Sequence, residues 1–270
     1  FKVDVNGESQ GSYYTKGWAP LSYSLIDCRP GTAEVVRYLI SQGANIHKLN
    51  HNGETPLTMA LDNYCIEAIS VLLERGASAN ERNKGDTPIF KVIDRNSVEE
   101  AKSLQIIKLL ESKGADLNMK DKDSQTPLVR TRANVEANII LYLISKGVDV
   151  SARDINGKTI LIRAAEIFSG DYSDEYQAKT VFAIMKAAIS AGVDVNAADE
   201  NGQTALFKII KRSNYEFTEP LIEFLLSSKA DANIKDKSGT TILEEATRSK
   251  KIMGLLRKYG AQDTAKTIGL

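Results

Sequence analysis

Two short phrases return in strict alternation from one end of this 270-residue chain to the other, and they restrict its fold more than any other feature. The first reads GWAPL from Gly17, GETPL from Gly53, GDTPI from Gly85, SQTPL from Ser124, GKTIL from Gly157, GQTAL from Gly202 and GTTIL from Gly239. The second reads GANIH from Gly43, GASAN from Gly76, GADLN from Gly114, GVDVS from Gly147, GVDVN from Gly192, KADAN from Lys229 and GAQDT from Gly260. Repetition of this kind marks a stack of small supersecondary units, in which each unit completes its core only against the next.

Both phrases have a local physical meaning. Thr55, Thr87, Thr126, Thr159, Thr204 and Thr241 stand where a helix N-cap belongs, able to accept a hydrogen bond from N–H groups that lack an intrahelical partner. Pro56, Pro88 and Pro127 follow at the first helical position, where the missing N–H costs nothing. From Leu57 apolar residues fall at helical spacing for about two turns. After a polar gap, a second apolar run (Ala68, Ile69, Val71, Leu72, Leu73) ends at Gly76. Glycine there takes the left-handed closing position, where a β-carbon costs roughly 1 kcal/mol or more. The unit therefore reads as helix, turn, helix and extended polar loop. Lys229 replaces the closing glycine in the sixth unit, which predicts about 1 kcal/mol of backbone strain there.

The unit from Gly53 to Arg82, GETPLTMALDNYCIEAISVLLERGASANER, resembles the ankyrin repeat position by position, including the small Ala60 and the paired leucines of the second helix. The resemblance covers about residues 17 to 264, and VDVNG from Val3 to Gly7 resembles the tail of one further, truncated unit. It implies an all-α ankyrin-repeat solenoid over residues 17–270, with units opening near 17, 53, 85, 124, 157, 202 and 239 and an N-terminal extension over 1–16. It also implies a module that binds a protein partner through its concave groove, its hairpin tips or insertions between helices. The alternative is an accessory ankyrin domain of a larger enzyme or secreted effector. One departure stands out. The histidine usual after the TPL phrase is replaced by Ser22, Thr58, Phe90, Val129, Ile162, Phe207 and Glu244, so the stack is expected to lack that histidine network and to be less uniform.

Successive openings are separated by 36, 32, 39, 33, 45 and 37 residues, against a family period of about 33, so the third, fifth and sixth units carry insertions. All three insertions fall between the first and second helices. The fifth carries Tyr172 and Tyr176 among acids, and the sixth carries Tyr215 and Phe217 beside Glu216 and Glu219. Tyrosine contributes large contact area at low entropic cost, which suits a partner-binding edge; the same rings also suit packing back onto the lengthened helix ends.

On the first helix, the residue that faces the concave side in ankyrin-like stacks is Lys91, Arg130, Arg163 and Lys208 in units three to six, with Arg212 close by. A row of bases points to an acidic protein partner. Against it, Asp94 and Glu166 lie three residues after Lys91 and Arg163, a spacing that neutralises charge locally. The hairpin tips carry mixed charges and name no ligand.

Cys28 and Cys65, the two cysteines, fall in equivalent turns of neighbouring units. In ankyrin-like stacks such positions lie about 10 Å apart, beyond the roughly 7 Å that a disulfide spans, so free thiols are expected unless the loop at Pro30 and Gly31 bends inward. A bond would imply an oxidising compartment, secreted or exported, and free thiols a cytoplasmic one. His47 and His51 share a hairpin without a recognised set of metal ligands, and no phosphate loop or nucleophile elbow occurs, so no cofactor, metal or catalytic site is expected. Lysine plus arginine equal aspartate plus glutamate at 35 each, which gives no net field toward nucleic acid. No apolar run approaches the roughly 18 residues that span a bilayer, so no membrane insertion is expected; the chain is expected to be monomeric, with self-association along the solenoid edge as the other possibility. The first residue, Phe1, leaves both a removed leader and a longer parent chain open.

Overall fold

The computed structural model describes residues 4–9, 18–93, 99–132, 136–167, 175–211 and 218–262, apart from the side chain of Arg248. Among these residues the regular structure is helical, and the only β features are isolated bridges from Asn83 to Asp86 and from Lys235 to Thr241. The chain divides into two compact units, one ending at Arg130 and the other beginning at Thr131. The first holds α1 (Pro20–Ser24), α2 (Thr32–Ser41), α3 (Pro56–Asp62), α4 (Ile66–Glu74), α5 (Pro88–Ile93), α6 (Glu100–Ser112) and α7 (Pro127–Arg130). The second holds α8 (Ala137–Ser145), α9 (Ile160–Glu166), α10 (Glu175–Ser190), α11 (Ala205–Lys211), α12 (Thr218–Ser227), α13 (Ile242–Glu245) and α14 (Lys250–Lys258), with a 3-10 turn at Ala246–Arg248 between the last two.

Short helices alternate with longer ones, and the two kinds bury differently. Every residue of α3 from Pro56 to Leu61 is buried, as is every residue of α11 from Ala205 to Ile210. Helices of this length do not hold in water alone, so they persist because α4 and α5 cover α3, and α9, α12 and α13 cover α11. The longer helices bury one stripe: on α10 it is Val181, Ile184, Met185 and Ala188, at i, i+3, i+4 and i+7. Of the positions from which the family's histidine is missing, all but the exposed Glu244 belong to this core. Phe90 and Phe207 are fully buried there, and Val129 and Ile162 nearly so. Apolar volume replaces a hydrogen-bond network.

The helix starts follow the sequence in part. Thr55 accepts from the N–H of Thr58, Thr204 from that of Phe207, and Thr241 forms a reciprocal capping box with Glu244. At Thr87, Thr126 and Thr159 the hydroxyl oxygen is buried without a hydrogen-bond partner, and nothing in the structure explains that difference. The helix ends behave uniformly. The amide after the closing residue bonds back to the final turn, as from Ala77 to Leu72 and from Val193 to Ala188. Lys229 does the same with a left-handed φ of 72°, and Ala230 N–H reaches Leu225 O at 3.0 Å.

Beyond several of the helix ends an asparagine clasps the next loop. The Asn80 amide donates to Gly114 O and its oxygen accepts from Asp116 N–H, both at 2.8 Å. Asn196 and Asn233 repeat the pattern on Lys229 with Asp231 and on Gly260 with Gln262. Asn6 repeats it on Gly43 and Asn45. The segment around Asn6 therefore makes the same backbone contacts as the loops that follow the helix pairs.

Cys28 and Cys65 are joined by a disulfide with a Cα–Cα distance of 5.3 Å, which corrects the expectation of free thiols. The loop does bend inward: Arg29 N–H turns back to Asp27 O, Thr32 N–H bonds Arg29 O, and Gly31 takes a φ of 92°. That path brings Cys28 over the start of α4.

Two substitutions test this architecture. Lys229→Gly should raise the unfolding free energy by about 1 kcal/mol in urea titration, because it removes a β-carbon from a left-handed residue. Gly202 and Gly192 both have positive φ, but a β-carbon at Gly202 would lie 2.9 Å from Lys237 N whereas one at Gly192 meets open space. Gly202→Ala should therefore cost clearly more than the roughly 1 kcal/mol expected for Gly192→Ala in the same titration.

Candidate protein-binding surfaces

Each base of the expected row finds its acid in the structure, and for three of them the acid comes from the loop before the helix. In that loop an aspartate Oδ1 accepts the N–H groups of the residues two and four further on. Asp121 accepts from Asp123 and Gln125 at 2.8 Å, Asp154 from Asn156 and Lys158 at 2.9 Å, and Asp199 from Asn201 and Gln203 at 2.9 and 3.0 Å. The other oxygen is left for the base. Arg130 meets Asp121 Oδ2 at 2.8 Å, Arg163 meets Asp154 Oδ2 at 3.0 Å, and Lys208 meets Asp199 Oδ2 at 2.8 Å. The lysine contact is an ion pair at hydrogen-bonding distance. Lys91, whose own loop carries Arg82 instead, takes Asp62 of α3 at 3.3 Å.

This pairing differs from the one that helical spacing suggests. Glu166 serves Lys158 at 2.9 Å and Lys208 at 3.3 Å rather than Arg163, whose guanidinium also donates to Thr131 O. Asp94 and Arg212 lie outside the described residues. Lys208 is buried, and the side chains of Asp121 and Asp199 are fully enclosed. In the second repeat the loop residue is the neutral Asn50 and the helix residue the neutral Met59, in contact at 3.4 Å. The row thus fastens loops to helices, with its charge matched in place.

Burial alone would raise the Asp199 pKa, but the Lys208 ammonium and the N–H groups of Gln203 and Asn201 outweigh it and hold the carboxyl below its ordinary value of 3.8. Asp236 is also held low, first by the Ser238 hydroxyl against the effect of burial, then by the Gln203 side chain and the N–H groups of Thr240 and Ser238.

Aromatic and aliphatic surface gathers in the first repeats. The Trp18 indole N–H donates to His51 Nδ1, and the Trp18 ring meets Tyr23 edge-on at 6.2 Å. Trp18, Pro20, Tyr23, Val35 and Leu39 bound an open cavity of about 720 Å³, with Asp4 and Glu8 at its rim. Tyr38 is 64% exposed and Leu49 is 54% exposed, although Val71 and Leu72, which hold the places of Tyr38 and Leu39 in the next repeat, are core. In the second unit Tyr176, at the start of α10, is 76% exposed. Tyr172, Tyr215 and Phe217 lie outside the described residues. Among the described residues no group of three or more His, Cys, Asp or Glu side chains is arranged to hold a metal, and no helix is long and apolar enough to cross a membrane.

Removing one partner of an enclosed ion pair strands the other, so Lys208→Met should destabilise the chain by about 3 kcal/mol, and adding Asp199→Asn should recover much of that loss in chemical unfolding. The Asp199 pKa is lower in the folded state, so its stabilisation is complete above pH of about 4 and fades as pH falls through the lowered value. Asp199→Asn should therefore flatten the loss of stability between pH of about 5 and 2 relative to the parent chain.

Known proteins share the repeat pattern and the fold. The sequence model described as ankyrin repeats (3 copies) matches residues 25–105 and 177–267, more than half of the chain. A Rickettsia felis protein described as an ankyrin repeat protein is 35% identical over 97 residues, which is 34% of this chain and 42% of that one. Alpha-latrocrustotoxin-Lt1a of Latrodectus tredecimguttatus is 31% identical over 125 residues, 46% of this chain and 8% of the toxin. The chain thus spans less than half the length of either relative. The crystal structure of the ankyrin repeat domain of Bcl-3 matches with a TM-score of 0.66 at 24% identity, covering 89% of this chain and 99% of that domain, a likeness of fold. With its paired helices, glycine closures and clasped loops, this chain belongs to the ankyrin-repeat family.

Proposed function

We propose that the chain works by binding a protein partner and that the aromatic face of its first repeats makes the principal contact. The observation that carries this reading is the open cavity bounded by Trp18, Tyr23, Val35 and Leu39, with Tyr23 and Val35 exposed and the further exposed residues Tyr38 and Leu49 in the same repeat. Exposed apolar patches of this kind mark interaction sites, and aromatic anchors supply most binding energy. Asp4 and Glu8 at the rim, the latter shared with Lys48 at 3.3 Å, favour a segment that presents an apolar side chain beside a basic one.

An acidic partner at Lys91, Arg130, Arg163 and Lys208 is disfavoured, because it must displace acids already in place. The exposed Tyr176 supports a second reading, a contact at the edge where the fifth insertion emerges. The match to a small part of a much longer toxin is compatible with a role as the recognition part of a larger protein.

Partners captured from the source organism and identified by mass spectrometry supply the probe. Trp18→Ala with Tyr23→Ala should weaken binding of the captured partner at least about thirtyfold by calorimetry, since a single aromatic hot spot contributes about 2 kcal/mol or more. Tyr176→Ala should leave that affinity unchanged. The reverse result would move the contact to the insertion edge.

A further inference from the structure

Cys28 and Cys65 are chemically unequal although one bond joins them. Cys28 is exposed in the loop between α1 and α2, whereas Cys65 is 3% exposed and forms the N-cap of the nine-residue α4. Thiol–disulfide exchange requires access to the sulfur that is attacked. Only Cys28 lies at the surface, so an incoming thiol reaches its sulfur and Cys65 is the one that leaves. A cavity of about 440 Å³ bounded by Cys28, Arg29, Pro30, Tyr64 and Cys65 opens beside the bond and gives an incoming thiol room. Glu34 and Glu67 on the same wall oppose an anionic nucleophile, which slows the reaction without changing its direction.

We propose that Cys28–Cys65 is a reversible thiol–disulfide switch, opened by a dithiol reductant that attacks Cys28 and expels Cys65. The reductant thiolate forms a bond to Cys28 Sγ, the Sγ–Sγ bond breaks, and Cys65 leaves with the electron pair as thiolate. The second thiol of the reductant then attacks its own mixed-disulfide sulfur and frees Cys28. The reductant ends as a disulfide, the protein has gained two electrons, and the thiolates take protons from water. A disulfide of the same class reverses the process.

Among the described longer helices, α2 buries the fewest residues. Only Val36 of α2 is fully enclosed, whereas α4 buries Ala68, Ile69, Val71, Leu72 and Leu73. The covalent link substitutes for packing that α2 does not make. Its loss therefore loosens α1 and α2 selectively, independently of which surface binds a partner.

The intact chain, purified without reductant, tests the chemistry first. Brief exposure to limiting glutathione, followed by iodoacetamide and peptide mapping, should place the glutathione on Cys28 and the alkyl group on Cys65. Glutathione on Cys65, or both cysteines alkylated before any reductant is added, overturns the proposal. Dithiothreitol should then raise hydrogen exchange across Thr32–Ser41 by about thirtyfold or more, while exchange across Ala205–Lys211 is unchanged. The double variant Cys28→Ser with Cys65→Ser should show the same fast exchange with or without dithiothreitol. Unchanged exchange across α2 on reduction, or loss of protection throughout the chain, overturns the proposal.

Discussion

Among the described residues no first helix is long enough to hold its own shape, so burial against a neighbouring repeat is the interaction on which everything else depends. A helix such as α3 or α7 gains its stability from residues distant in sequence by about one repeat. Hence the same phrases must return at a steady spacing. The loops follow from the same requirement, because stacked helix pairs need a connection that reverses direction without leaving backbone groups unpaired. The aspartate turn and the asparagine clasp meet that need with one side chain each.

Much of this was legible in sequence because the signals act locally. Threonine with proline opens a helix, and glycine closes one, within three or four residues, so the helix pairs and even the left-handed Lys229 could be located without coordinates. The asparagine clasps were visible as letters in the second phrase, but their partners lie a full repeat away. The path of the loop at Pro30 and Gly31, on which the disulfide depends, comes from a few dihedral angles that composition does not reveal.

The proposed binding surface was less legible, for a physical reason. Helical spacing pairs charges three or four residues apart, so Glu166 looked like the partner of Arg163. The structure instead spans a loop and a helix start to join Asp154 with Arg163. A basic row read from spacing alone therefore overstates the free charge. Conversely, Trp18, Tyr23, Val35 and Tyr38 resemble ordinary core residues in sequence, and only their exposure distinguishes them.

The divided role of the loop aspartate has a consequence for how such a chain can change. Because Asp121 answers Arg130, Asp154 answers Arg163 and Asp199 answers Lys208, electrical neutrality is settled largely inside each module. The neutral pair Asn50 and Met59 shows the same slot filled without ions. A module could be duplicated, deleted or swapped from ionic to neutral form while stranding little charge in its neighbours, which frees the outward side chains to diversify on a frame that remains balanced.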